Sequence, residues 1–191
     1  MNKSKLLIFE GIASSGKTTI VKELTNKLKE NSSVEIIGEG ETLMPLVDNI
    51  SKKTALKFLK EFLDSRVKKI KTSVVIIDRF HFTHAFRTKS SVNDFKSIEG
   101  YLLEHYQPFI ILLKMDESKI QERIEHARIL RGEQWVKGKS GTLEEKIEYY
   151  TNQQRYLLEL SRESKLKTVV VDTTVMNWTE LADDIVSNIL L

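Results

Sequence analysis

The chain has 191 residues, enough for one well-buried α/β domain and too few for two comfortable ones, so residues 1–191 are expected to form a single domain. Hydrophobic residues make up 40% and charged residues 30%, as in ordinary globular proteins, and the lack of cysteine excludes disulfides, thiolate metal sites and a thiol nucleophile. A net charge of +3, from 30 basic against 27 acidic side chains, argues against a nucleic-acid surface, and the apolar run after Met1 is too short for a leader or a membrane span, which points to the cytoplasm.

Apolar runs at 6–9, 34–37, 74–77, 109–113 and 169–171 read as buried strands. Between them lie long stretches with helical spacing, for example Leu56, Leu59, Leu63, Val67 and Ile70, and again Leu143, Ile147, Tyr150, Gln154 and Leu157. Nearly continuous apolar strands joined by helices imply a parallel sheet covered on both faces. The predicted architecture is therefore an α/β three-layer sandwich. Pro45 follows the second strand and Pro108 stands immediately before the fourth, where a missing N–H does little harm. Residues 131–141 contain three glycines with Lys137, Lys139 and Ser140, interrupt the helical period and read as a mobile loop.

The segment from Gly11 through Gly16, Lys17 and Thr18 fits G-x-x-x-x-G-K-[ST] between a predicted strand and a predicted helix. Such a loop turns its backbone N–H groups inward, and the helix behind it adds the positive end of its dipole, which suits a phosphate. Gly11, Ser14, Ser15, Gly16, Lys17, Thr18 and Thr19 are the candidate ATP-binding residues. Lys17 reaches the β- and γ-phosphates in this reading and the Thr18 hydroxyl is a ligand for Mg²⁺. The third strand ends in Asp78 and Arg79. An acid at that end of a parallel strand lies beside the phosphate loop and is a second candidate Mg²⁺ ligand, while the guanidinium offers a planar fork for phosphate.

Phe62 and Arg66, four apart, share one helical face and suit stacking on a base and bonding its edge. On spacing alone, Phe62 fits a core position equally well, and Arg66 fits a solvated face shared with many lysines. Arg123, Arg128 and Arg131 precede the glycine-bearing loop, and a five-residue step turns about 140° on a helix, so at most two of them converge while the helix continues. His81 and His84 are three apart without the carboxylate-histidine arrangement of a zinc enzyme.

Taken together these residues resemble the thymidylate kinase family and, more loosely, the deoxynucleoside kinases, over most of the chain. The matching pieces are Phe9-Glu10-Gly11 leading into Ser15-Gly16-Lys17-Thr18-Thr19, Phe62 with Arg66 as an F-x-x-x-R segment, Asp78-Arg79-Phe80 as a D-R-Y/H step, Arg123 with Arg128 and Arg131 as a lid, and Val171-Asp172-Thr173-Thr174 after the last strand. The resemblance implies a five-stranded parallel core, ATP and Mg²⁺, and a pyrimidine deoxynucleoside monophosphate such as dTMP as acceptor. It also implies a homodimer, with neither nucleic acid nor membrane as partner. Lys17, Arg79, Arg128 and Arg131 become catalytic candidates, Arg123 and Thr173 join the ATP site, and Glu39, Phe62, Arg66 and Arg79 form the acceptor site. A lid is expected over 131–141.

Three departures bear on the acceptor. The family's P-loop aspartate is replaced by Ala13-Ser14, its R-E-P signature by Gly38-Glu39-Gly40-Glu41-Thr42, and its S-x-x-A-Y-Q segment by Thr83-His84-Ala85-Phe86-Arg87, shifted by a residue. In deoxynucleoside kinases a glutamate after the second strand acts as base toward a sugar hydroxyl, and Glu39 or Glu41 fits that role. A deoxynucleoside kinase, another small-molecule P-loop kinase and a non-kinase P-loop switch that binds ATP are the alternatives.

Overall fold

The structure, a computed structural model, describes residues 3–46, 50–131 and 142–189. Five strands, β1 (Lys5–Gly11), β2 (Val34–Ile37), β3 (Val74–Asp78), β4 (Gln107–Lys114) and β5 (Lys167–Asp172), form one parallel sheet in the order β2-β3-β1-β4-β5. The described helices are α1 (Lys17–Leu28), α2 (Glu39–Thr42), α3 (Lys52–Ser65), α4 (His81–Thr88), α5 (Lys96–His105), α6 (Ile120–Arg131), α7 (Leu143–Glu163) and α8 (Trp178–Ile189). None of them is long and apolar enough to cross a membrane.

Alternate residues of β1 feed two separate cores, as the two-residue period of a strand requires. Leu7 and Phe9 pack with Ile20 and Leu24 of α1 and Ile185 and Ile189 of α8. Leu6 and Ile8 pack with Leu59, Phe62 and Leu63 of α3, Phe82 of α4, Leu102 of α5 and Leu157 of α7. A smaller cluster of Ile12, Met115, Ile120, Ile124 and Tyr150 ties α6 and α7 to the loop after β1. Both faces are thus covered, giving three layers.

Three sequence expectations shift. The runs at 34–37 and 169–171, read as buried strands, form the two edges of the sheet, where Ile36 and Val170 are exposed because each edge strand is paired on one side only. The spacing through Val67 and Ile70 predicted helix, yet α3 ends at Ser65 and Val67 lies in a separate 3₁₀ turn. Val67 is still fully buried, so its apolar period reports contact with the core and not continuation of the helix. Pro108 lies inside β4 and not before it, paired with Leu6. Pairing with β5 starts only at Phe109, so Pro108 interrupts no ladder on that side. The loop expected over 131–141 lies outside the described residues from 132 onward.

Because all strands run the same way, their carboxyl ends bring Gly11, Gly38, Asp78 and Lys114 to one end of the sheet. The chain leaves β1 between β3 and β4, where an open parallel sheet presents its ligand crevice.

Candidate active site

The loop between β1 and α1 is built on backbone conformations that most side chains avoid. Gly11 has φ of +146° and lies so close to β4 that a Cβ there would meet Leu113 O at 2.8 Å. Gly16, the residue before α1, has φ of +90° and sits under the Trp178 indole, where a Cβ would come within 2.2 Å of the ring. Glycine is required at both places for space as well as for conformation. Ser14 also adopts a left-handed φ of +64°. The hydroxyls of Ser14 and Ser15 are buried without a hydrogen-bond partner among the described residues, while Thr18 and Thr19 are exposed on the first turn of α1.

Lys17 opens α1, and its buried Nζ donates to Gly11 O at 2.9 Å and Ile12 O at 2.8 Å. Burial, reinforced by the nearby Arg79 guanidinium, lowers its pKa to about 7. Asp78 at the end of β3 is shifted the other way: burial raises its carboxyl, against the pull of Lys17 and Arg79. Its Oδ1 is buried without a partner among the described residues.

Arg79 follows in a left-handed conformation, with φ of +61°. Its Nη1 donates to Gly11 O at 3.0 Å, the carbonyl that also accepts from Lys17, and its Nε donates to Glu39 Oε2 at 3.0 Å. Two cations and one carboxylate therefore meet at the phosphate loop. Beneath them Glu10, fully buried, accepts from the backbone N–H of Phe80, Phe82 and Thr83 at 2.9, 3.1 and 3.2 Å and from Thr83 Oγ1 at 2.5 Å. A carboxylate at the start of α4 satisfies donors that the helix itself leaves open, and fixes the chain just beyond Arg79.

Glu39 and Glu41, equivalent in sequence, part company in space. Glu39 faces Arg79, whereas Glu41 accepts from Arg66 Nε at 2.8 Å, with Glu35 taking Arg66 Nη2 at 2.8 Å. Arg66 caps the C-terminus of α3, its N–H bonded to Phe62 O at 3.0 Å. Phe62 is buried against Phe58 and Phe80, at centroid separations of 5.9 and 6.3 Å. Phe62 thus packs beside Phe80, the residue after Arg79, and Arg66 pairs with Glu41 and Glu35 while Arg79 takes Glu39. A cavity of about 620 Å³ opens instead between α4 and α7, lined by Phe86, Arg87, Lys89, Tyr149, Asn152 and Tyr156. Tyr149 and Tyr156 present edge-on contacts to Phe86 at 5.3 and 5.6 Å. Tyr149 also lies within the electrostatic reach of Arg79.

On the opposite flank, Arg123 Nη2 donates to Thr173 O, and its guanidinium lies 5.8 Å from the Trp178 ring centroid. Thr173 is held by bonds from its N–H and hydroxyl to Lys114 O, at 2.8 and 3.0 Å. Gly16, Trp178 and Arg123 thereby form one stack between the phosphate loop and α6. Arg128 and Arg131 lie on α6, but their side chains are outside the described residues. His81 contacts Glu99 at 3.2 Å and His84 contacts Thr42 O at 2.9 Å.

The residues present fit a nucleoside triphosphate with Mg²⁺. Three polar atoms, Ser14 Oγ, Ser15 Oγ and Asp78 Oδ1, are buried without partners among the described residues around a lysine and an arginine, at the start of a twelve-residue helix. Orphaned polar groups of this kind call for a ligand. Sequence reasoning did not single out Glu10, Thr42, His84 and Trp178 as neighbours of the candidate site, nor Tyr149 and Tyr156 as the lining of the nearby cavity. Only Glu10 carried a local signal, its place next to the phosphate loop.

Among solved structures, the YorR protein of Bacillus subtilis, in complex with phosphorylated GDP, matches at a TM-score of 0.67 and 22% identity, over 97% of this chain and 96% of that one. Thymidylate kinase from Ehrlichia chaffeensis matches at a TM-score of 0.63 and 14% identity, over 97% and 98%. The fold is that of the P-loop kinases. A family model described as chromatin associated protein KTI12 matches residues 5–89, the part running from β1 through α4. No curated protein matches the sequence.

Proposed function

We propose that the protein is a P-loop kinase of one domain, with a lid near 131–141, that transfers the γ-phosphoryl group of ATP to a hydroxyl of a nucleoside-like acceptor. The observation that carries this reading is the Glu39–Arg79 pair at 3.0 Å, with Arg79 bonded to the same Gly11 carbonyl as Lys17. A phosphate acceptor is already nucleophilic and gains nothing from a neighbouring carboxylate, which would repel it. A hydroxyl gains a base.

In this mechanism Glu39 takes the proton of the acceptor hydroxyl as its oxygen forms a bond to the γ-phosphorus and the bond to the β-phosphate oxygen breaks, leaving ADP. Lys17 exchanges its two carbonyl partners for phosphate oxygens, and Arg79 holds charge that develops on the transferring group. Thr18 and Asp78 are the residues that would hold Mg²⁺, which supplies further charge neutralisation on the phosphates. Arg123 with Thr173 borders the ATP side. The aromatic cavity at Phe86, Tyr149 and Tyr156 suits a planar acceptor base, with Arg87, Lys89 and Asn152 as polar partners.

Transfer to a monophosphate such as dTMP is the second reading, favoured by the resemblance to thymidylate kinases and by Arg79 as a phosphate ligand. A non-kinase P-loop module is the third, favoured by the KTI12 match over 5–89. Steady-state rates with thymidine, deoxycytidine and their monophosphates at saturating Mg-ATP separate the first two. The hydroxyl reading expects a free nucleoside to be the better substrate, and Glu39→Gln to lower its kcat by roughly 10²-fold, with Glu41→Gln close to wild type. Faster turnover of monophosphates, indifferent to Glu39→Gln, would replace it with the second reading.

A further inference from the structure

We propose that Thr42 and His84 are positioning residues that latch the one-turn helix α2 and thereby set the Glu39 carboxylate against Arg79; this rests on the proposed role of Glu39. The need for a latch follows from the sequence of the turn. α2 has four residues, far below the length at which a helix is stable alone. Glu39 is flanked by Gly38 and Gly40, and neither glycine has any neighbour within 4 Å of where a Cβ would stand. Two glycines in open space give the backbone maximal freedom. The turn's own bonds, from Leu43 N–H to Glu39 O at 2.9 Å and from Glu41 N–H to Gly38 O at 3.0 Å, join backbone to backbone and do not tie the turn to the sheet, while the Glu39 side chain is 52% open to solvent.

The restraint comes from Thr42, the last residue of the turn and fully buried. Its Oγ1 donates to Asp78 O at 2.7 Å, so the end of α2 is bonded directly to the residue before Arg79. Its own carbonyl oxygen faces His84 Nε2 at 2.9 Å. A carbonyl only accepts, so Nε2 carries a proton; burial lowers the pKa of the ring and favours its neutral form, which leaves Nδ1 bare, and Nδ1 is buried without a partner among the described residues. The ring meets Phe58 at a centroid separation of 6.1 Å. Neutral imidazole in that single tautomer satisfies the contact. Thr42 thus donates to β3 with its hydroxyl and accepts from α4 with its carbonyl, and both of those elements flank Arg79. The Glu41–Arg66 ion pair braces the outer side of the same turn, but between partly exposed groups, where such pairs contribute little.

The test combines exchange with kinetics. Amide hydrogen exchange in the ligand-free full chain is expected to show protection over residues 41–43 that Thr42→Val and His84→Leu each abolish, while the sheet amides and melting temperature stay near wild type; Thr42→Ser restores the protection. Unchanged protection in both variants would overturn the latch, whatever the enzyme's substrate proves to be. With a nucleoside acceptor, Thr42→Val is expected to lower kcat by roughly tenfold to a hundredfold, as small misplacements of a reacting group do, with ATP affinity unchanged. In Thr42→Val with Glu39→Gln the two losses are expected not to add. If Glu39→Gln alone has no effect, the base role fails and the exchange result still decides the latch. If Glu39→Gln is impaired and the losses multiply independently, the latch does not act through Glu39. Should Thr42→Val fail to fold, His84→Leu and its amide-retaining counterpart His84→Gln carry the same comparison, with protection expected lost in the first and kept in the second.

Discussion

Lys17 meets two backbone carbonyls, and burial together with Arg79 leaves it with a pKa of about 7. Phosphate oxygens favour the charged ammonium, so nucleotide binding raises that pKa and takes up a proton wherever the free side chain is already neutral. Below about pH 7 the lysine is charged in both states and no uptake is expected. Above it, affinity is expected to fall as pH rises, until the pKa of the bound lysine is reached. Calorimetric titration with a non-hydrolysable ATP analogue near pH 9, repeated in buffers of different ionisation heat, is expected to show uptake of about one proton. Lys17→Met is expected to show none. Equal uptake in the two proteins would mean that another group titrates. The Lys17 motif is legible in the sequence because its parts are contiguous. The Glu39–Arg79 pair is not, since its members are separated by a strand, a helix and two loops, and nothing local distinguishes Glu39 from Glu41.

At the scale of an element, α4 illustrates what a sequence period leaves out. Its apolar residues mark a buried face, but its start is organised by Glu10, which comes from β1 and accepts four hydrogen bonds at once. Glu10→Ala would strand three backbone N–H groups in the interior, at about 1–3 kcal/mol each before relaxation. A loss of at least ~3 kcal/mol in urea unfolding is expected on that account, with Arg79 released from its left-handed conformation and turnover reduced beyond the loss of folded protein. A change within ~0.5 kcal/mol, the range of ordinary surface substitutions, would show that water replaces the carboxylate at no cost. Element boundaries follow the same logic. The run at 109–113 marks the doubly covered middle of β4, while its ends at Gln107 and Lys114 are strand only because β1 and β5 pair with them. Val67 keeps an apolar helical spacing after the helix has stopped, because the core reaches that far and the hydrogen-bond ladder does not.

For the whole molecule, five apolar runs alternating with helices were enough to read a parallel sheet between two helical layers. The same pattern carries no record of which strands are neighbours. The order β2-β3-β1-β4-β5 sets β2, β3 and β1 side by side, so that Gly38, Asp78 and Gly11, already at one end of the parallel sheet, become neighbours there. Charge is concentrated there: Lys17, Arg79, Asp78 and Glu39 lie beside a loop whose Ser14 and Ser15 hydroxyls lack partners among the described residues. The claim that this constellation transfers phosphoryl groups to an acceptor is tested most directly by ADP release from Mg-ATP, measured with and without a panel of deoxynucleosides and their monophosphates. Little ADP is expected from ATP alone, with release rising by at least roughly 10²-fold when a nucleoside is added and lost in a folded Lys17→Ala protein. ADP release at one rate whether or not an acceptor is present, or full activity in Lys17→Ala, would contradict the kinase reading.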